Sequence, residues 1–183
     1  MKKFLTDYNN DLINAIHSLN VDELENIAEV IIKARSDSNV VYLIGNGGSS
    51  ATPSHSAGDW SKELGIKAIC LTDNTPSVTA FANDTNYSNI FRGQLETFLE
   101  EGDIVMGYSG SGNSPNVINA ITFAKEKGNV TIGISGDYKN GKGGKLVNLA
   151  DMSIVANTTS MERIEDIHMI INHILKEYIR IKI

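Results

Sequence analysis

The sequence predicts an α/β fold in which a parallel sheet of about five strands is covered by helices. Short apolar runs of strand length alternate with stretches in which apolar residues recur at spacings of three and four. Such alternation favours right-handed crossovers and a parallel sheet with helices on both faces. A chain of 183 residues is the size of one domain. We therefore expect a single domain over residues 1–183, with a helical segment at 1–36 and the α/β core at 37–183.

The chain begins with apolar residues at helical spacing over residues 4–35, interrupted at Asn20. This pattern predicts two amphipathic helices or one bent helix. The strand-length runs that follow are Val40–Ile44, Lys67–Leu71, Ile104–Tyr108, Val130–Ile134 and Met152–Val155.

Helical periodicity between the strands is clearest at Asn116–Lys127. The last helix is predicted over Glu162–Ile181, with Thr159 and Glu162 as a capping box at its start. The glycine- and lysine-rich stretch Asp137–Lys145 is predicted to be a mobile loop.

Composition argues against several classes of partner. No apolar run approaches the ~20 residues that span a bilayer, and the N-terminus has no secretory pattern, so we expect a cytoplasmic protein without a membrane partner. The net charge of −6 would repel nucleic acid, and no basic patch offsets it. The lone Cys70 cannot form an internal disulfide and is expected to be a small buried residue.

Two polar loops that contain serines, the serine loops, follow predicted strands. Gly45–Ser50 comes after the first strand, and Ser109–Ser114 comes after the third, with Pro115 at a favourable first helical position. Each loop gathers backbone N–H groups and hydroxyls at a helix N-terminus, which is an arrangement that binds anions. Each loop alone is equally well explained as an ordinary strand-to-helix turn. Two at the carboxyl edge of one sheet favour a ligand site.

Other phosphate-binding motifs fit less well. Gly45 and Gly47 begin a dinucleotide fingerprint, but Ser50 replaces its third glycine, so a Rossmann dehydrogenase is a weak alternative. Lys142 lies among glycines without the Gly-Lys-Ser/Thr triplet of a nucleotide-binding loop. Hydroxyl-lined loops suit a phosphomonoester held by neutral donors.

Motifs over nearly the whole chain resemble, in order and spacing, those of the phosphoheptose isomerases, which are built on the sugar-isomerase (SIS) domain. These motifs are Gly45-Asn46-Gly47-Gly48-Ser49, His55, Ala82-Asn83-Asp84, Ser109-x-Ser111-Gly112-Asn113-Ser114, Arg163-Ile164-x-x-x-His168 and His173. The resemblance implies a single SIS domain and an enzyme that interconverts sedoheptulose 7-phosphate and a heptose 7-phosphate. It also implies a bound metal, often zinc, and a homotetramer.

Carried onto this sequence, the resemblance assigns residues to three roles. The substrate-binding candidates are Asn46, Gly47, Gly48, Ser49, Asn83, Asp84, Ser109, Ser111 and Ser114. The metal-binding candidates are His55, Asp59, Glu165 and His173, and the catalytic candidates are Asp59, Glu165 and His173.

Three positions depart from the family pattern. The family usually has glutamate where Asp59 stands and glutamine where Glu165 stands, and Gly110 replaces a common hydroxyl residue. The class is retained, while the substrate and the division of roles between Asp59 and Glu165 stay open.

The residues support acid–base chemistry independently of the resemblance. Aldose–ketose isomerisation needs a group that moves a proton between neighbouring carbons, work suited to a carboxylate or an imidazole. His55 and Asp59 are four residues apart and share a helix face, although a surface ion pair would explain the same spacing.

Glu165 and His173 are about 12 Å apart along one helix, so either one of them is not a metal ligand or ligands from two subunits meet at the site. His168 is expected to be a packed, hydrogen-bonded core histidine.

Two non-catalytic functions remain as alternatives. Some relatives with this fold are oligomeric regulators, including one that binds a replication initiator, and a sugar-phosphate-sensing domain would keep the serine loops alone. Both would lack the His/carboxylate set, so its retention here favours an enzyme.

Overall fold

Five parallel strands form the centre of the fold. The computed structural model describes residues 1–183 and contains β1 (Val40–Gly45), β2 (Lys67–Cys70), β3 (Ile104–Ser109), β4 (Val130–Gly136) and β5 (Met152–Ala156). Their order in the sheet is β2-β1-β3-β4-β5, and every neighbouring pair is parallel. The predicted five-stranded parallel sheet is therefore confirmed.

The strand order reverses between β1 and β3. Gly45 at the end of β1 is in register with Tyr108 near the end of β3, so the loops that leave these strands are neighbours. The point where strand order reverses in an open α/β sheet is where ligands bind. The topology thus brings the two polar loops together.

Eight α-helices surround the sheet. They are α1 (Lys2–His17), α2 (Val21–Ser36), α3 (Gly48–Asp59), α4 (Thr75–Asp84), α5 (Arg92–Phe98), α6 (Pro115–Glu126), α7 (Gly144–Leu149) and α8 (Met161–Lys182). The helix α3 continues into a π-helical turn at Trp60–Leu64, and short 3₁₀ turns lie at Tyr87–Asn89 and Tyr138–Asn140. No helix is both long enough and apolar enough to cross a membrane.

The N-terminal helices are separate because Asn20 caps the second one. Its side chain accepts a hydrogen bond from Glu23 N at 3.2 Å, which satisfies one of the free donors of α2. Apolar faces of α1, α2 and α8 bury one side of the sheet, and α5, α6 and α7 contribute to a second apolar cluster on the other side. All six residues of β3 are buried, as expected for a central strand covered on both faces.

Two local predictions were wrong. Ser160, not Thr159, precedes α8, and its hydroxyl donates to Glu162 Oε2 at 2.7 Å instead of capping the helix. The stretch Asp137–Lys145 is not loop throughout, because it contains a 3₁₀ turn and the start of α7. Its end is bound to the second serine loop, where Lys145 N donates to Asn113 Oδ1 at 3.1 Å.

Candidate active site

The two polar loops face one pocket at the carboxyl edge of the sheet. The pocket is lined by residues of both loops together with two residues of α8, namely Asn46, Gly47, Gly48, Ser49, Tyr108, Ser109, Gly110, Ser111, Ser114, Met161 and Glu165. Seven of the nine substrate-binding candidates from the sequence are in this set. Asn83 and Asp84 are not; they end α4 at the surface and are hydrogen-bonded to each other at 2.8 Å.

The two helices that follow the polar loops, α3 and α6, lack a side-chain cap. Gly47 precedes α3 with φ 55° and offers no side chain. Ser114 precedes α6, but its hydroxyl lies 3.0 Å from Ser109 Oγ and does not cap the helix. First-turn donors without a cap, together with the positive end of the helix dipole, favour an anion in the pocket.

Glycine is required where the loops pass close to other backbone. A Cβ on Gly45 would lie 1.9 Å from Ser49 O, and one on Gly112 would lie 1.7 Å from Gly143 O. Gly112 also has φ 63°, which side chains rarely adopt. These contacts hold the two serine loops in compact conformations.

A pair of amides, with Asn116 buried and Asn46 half-buried, joins the two loops. Asn46 Nδ2 donates to Asn116 Oδ1 at 2.8 Å, and Asn116 Nδ2 donates back to Asn46 Oδ1 at 2.7 Å. Tyr87 Oη adds a hydrogen bond to Asn46 Oδ1 at 3.0 Å. The side chain of Asn46 is therefore fixed from two directions, by residues that the sequence did not identify.

Glu165 lies against the first serine loop. A Cβ on Gly48 would meet the carboxylate of Glu165 at about 2.2–2.3 Å, so the two are in close contact across the pocket. Partial burial raises the pKa of this carboxyl, and the nearby charges of Glu162 and Asp166 raise it further. Glu165 thus brings an acid–base group to the same pocket as the serines.

Met161 packs against Gly110 of the second loop, the position where the family resemblance led us to expect a hydroxyl residue. A Cβ on Gly110 would lie 2.4 Å from Met161 Sδ, so a larger residue here would require the methionine to move. An apolar methionine side chain therefore packs over the loop at Gly110.

A second group of polar side chains joins α3 to α8. His55 Nε2 is 3.2 Å from both Asp59 Oδ2 and His173 Nε2, and one ligand atom from each of these residues lies within 4.8 Å of the others. Two imidazole nitrogens that face each other beside a carboxylate form a donor set that suits a divalent transition metal. Glu165 does not join this set within one chain, because eight residues of helix separate it from His173.

Lys176 forms ion pairs with two carboxylates of the π-helical region. Its ammonium is 2.8 Å from Asp59 Oδ2 and 3.3 Å from Glu63 Oε2. The hydrogen bond from Lys176 is the largest cause that holds the pKa of the Asp59 carboxyl below its usual range. The ion pair keeps Asp59 charged and directed toward α8.

His168 is a core residue, as the sequence predicts. It is fully buried, its Nε2 lies 3.2 Å from Ser135 O, and its ring packs edge-on against Tyr108. Burial lowers the pKa of His168 to about 4, so this side chain is neutral at physiological pH. It takes no direct part in the pocket.

Comparison with known proteins agrees with this geometry. A family model described as the SIS domain matches residues 5–136. The phosphoheptose isomerase of Aneurinibacillus thermoaerophilus is 33% identical over 96% of this chain and 91% of its own length. Phosphoheptose isomerase 2 of Campylobacter jejuni is 37% identical over 83% of this chain and 76% of its own length. The structure of phosphoheptose isomerase GmhA from Neisseria gonorrhoeae superposes with a TM-score of 0.89 at 26% identity, covering 97% and 95% of the two chains.

Proposed function

The chain belongs to the SIS-domain family and, within it, to the phosphoheptose isomerases, and we propose that it interconverts sedoheptulose 7-phosphate and a heptose 7-phosphate. The protein is an isomerase of sugar phosphates. The observation that carries the proposal is that one pocket holds two uncapped helix N-termini, their serines and a carboxylate. That combination can hold a phosphate ester and move a proton.

Phosphate binding falls to the two serine loops. We assign the phosphate to Ser49, Ser109, Ser111 and Ser114 and to the first-turn N–H groups of α3 and α6. These are neutral donors, so they can hold a phosphomonoester without a bound cation. We assign Asn46 to the sugar; its amide is held by hydrogen bonds with Asn116 and Tyr87. Asn83 and Asp84 stay candidates for the far end of the sugar.

We assign proton transfer to groups on α8. The reaction removes a proton from the carbon next to the carbonyl and returns it to the neighbouring carbon through an enediol. Glu165 is in the serine pocket, and its raised pKa brings it closer to the neutral range at which a carboxyl both accepts and donates protons. His173 is the second candidate from the sequence, but it can accept the proton only if it does not bind metal, because a metal-bound imidazole nitrogen has no free lone pair.

The metal is assigned to His55, Asp59 and His173. Two imidazoles and one carboxylate fit zinc, leaving a fourth position for the substrate. A divalent cation here would polarise the carbonyl and hydroxyl oxygens of the sugar. In this arrangement Asp59 is a metal ligand, and Glu165, in the serine pocket, is left for proton transfer.

We also propose a homotetramer. Support comes from an apolar groove between α1, α2 and α8 that is lined by Ile16, Leu19, Val21, Leu24, Ile174, Leu175 and Tyr178. Val21 and Ile174 are exposed in this groove, and we assign them to the contact with another protomer. Light scattering after gel filtration measures the assembly directly.

The experiment for the proposed function is a turnover assay. Zinc-replete protein is incubated with a panel of ketose phosphates, and aldose formation is followed by NMR. We expect turnover of sedoheptulose 7-phosphate and its loss in Asp59→Asn. Binding of the phosphate esters without any turnover would instead indicate a regulatory or sensing domain.

A further inference from the structure

Lys176 is placed as an internal competitor for the candidate metal site. Its ammonium is paired with Asp59, which is the one carboxylate among the three candidate ligands. Its side chain is only 14% exposed, so water screens this charge less than it would on the surface. The oxygen that receives Lys176 is the same Asp59 Oδ2 that lies 3.2 Å from His55 Nε2.

Glu63 gives the ammonium a second partner. It lies on the π-helical turn directly after α3, and its carboxylate is 3.3 Å from Lys176 Nζ. The two acceptors are four residues apart on one helical face, so the ammonium can shift from one to the other without a change in the backbone. Glu63 is itself absent from the candidate ligand set.

A cation bound to Asp59 and the Lys176 ammonium repel each other, because both are positive and share one carboxylate. We propose that Lys176 competes with a divalent cation for Asp59, and that Glu63 receives the ammonium when the cation binds. The pair Lys176–Glu63 then sets the metal affinity of the site. This inference rests on the metal site assigned under the proposed function.

The test compares zinc affinity, measured by competition with a chromophoric chelator at one neutral pH and one salt concentration. Lys176→Met removes the competitor, so the Kd for zinc should fall at least tenfold. Glu63→Gln removes the alternative partner, so the ammonium stays on Asp59 and the Kd should rise severalfold. In the double variant, the effect of Glu63→Gln should shrink, because the ammonium through which it acts is gone.

Two controls separate this effect from general changes in charge or folding. Lys33→Met removes the same charge from an exposed pair between Lys33 of α2 and Asp37, directly after that helix, and should leave the Kd unchanged. Thermal unfolding in the presence of a chelator reports whether each variant is folded. Glu63→Gln changes an exposed side chain, so it keeps the test available if Lys176→Met is unstable.

Several results would overturn the inference. A weaker affinity in Lys176→Met would mean that Lys176 orients Asp59 for the metal, and equal affinities in all variants would mean that it has no role. If neither the unmodified protein nor Lys176→Met binds zinc, the metal site itself is refuted and the inference with it. The isomerase assay measures turnover and not zinc affinity. A failure of the proposed function can therefore be distinguished from a failure of this inference.

Discussion

Replacing Asn116 by alanine removes the amide pair that joins the two serine loops. The variant loses the hydrogen bonds of 2.8 and 2.7 Å to Asn46 and leaves the Asn46 amide with Tyr87 as its remaining partner. At about 1 kcal/mol for each of these two bonds, and with Val117 N also losing its acceptor Asn116 Oδ1, the free energy of unfolding should fall by no less than about 2 kcal/mol. For a domain of this size that corresponds to a Tm lower by ~4–8 °C.

The functional effect of Asn116→Ala should exceed its effect on stability alone. Because the loops are no longer held at a fixed separation, we expect sedoheptulose 7-phosphate to bind about tenfold more weakly, or ~1.4 kcal/mol, as measured by calorimetry. Asn119→Ala is a matched control on α6, since it loses one hydrogen bond to Ser88 O at 3.1 Å and contacts neither loop. Equal ligand affinities in the two variants would refute the role of Asn116 in positioning the loops.

Three further predictions concern single residues. Ser111→Ala should weaken phosphate-ester binding by about 1 kcal/mol or somewhat more in calorimetry, while Ser61→Ala, whose hydroxyl donates within its own helix, should not. Asp59→Asn should remove zinc and turnover together, whereas Glu165→Gln should keep zinc, with the zinc content of both variants measured by elemental analysis. If Asp59→Asn keeps its zinc but loses turnover, Asp59 is the base and not a ligand. Between about pH 6.5 and about 4, only the unfolded chain protonates His168, so the free energy of unfolding should fall as the pH is lowered. His168→Gln should reduce this slope, measured by urea unfolding, by up to ~1.4 kcal/mol per pH unit. An unchanged slope would contradict the lowered pKa.

The sheet could be predicted from the sequence because its strands are buried on both faces. Each strand therefore appears as a continuous apolar run, as in Ile104–Ser109, where every residue is buried. The short helices gave no such signal. No residue of α4 is buried, and α7 has six residues and begins among glycines, so neither has an apolar face long enough to show helical periodicity.

The candidate site could be predicted where its residues are close in sequence or, as for His173 and Glu165, where they carry the family resemblance. The serine loops are local motifs, and His55 and Asp59 are one helical turn apart. Residues that act across the fold were missed: Asn116 contacts Asn46 from 70 positions away, and Lys176 contacts Asp59 from 117 positions away. Only the packing of α6 and α8 against the loop and helix after β1 brings these partners together. One feature of the sequence pointed to Asn116 as a residue of the site: it directly follows Pro115, at the N-terminus of a helix.

Aldose formation in deuterated water tests the central claim most directly. Zinc-replete protein is incubated with sedoheptulose 7-phosphate in D₂O, and the products are analysed by NMR. Proton transfer through an enediol predicts a heptose 7-phosphate that carries deuterium at C2 in the fraction of turnovers in which the base exchanges its proton with solvent. Asp59→Asn should give neither product nor label. A protein that binds the phosphate ester, holds zinc and yet forms no aldose would contradict the assignment of this pocket as an isomerase active site.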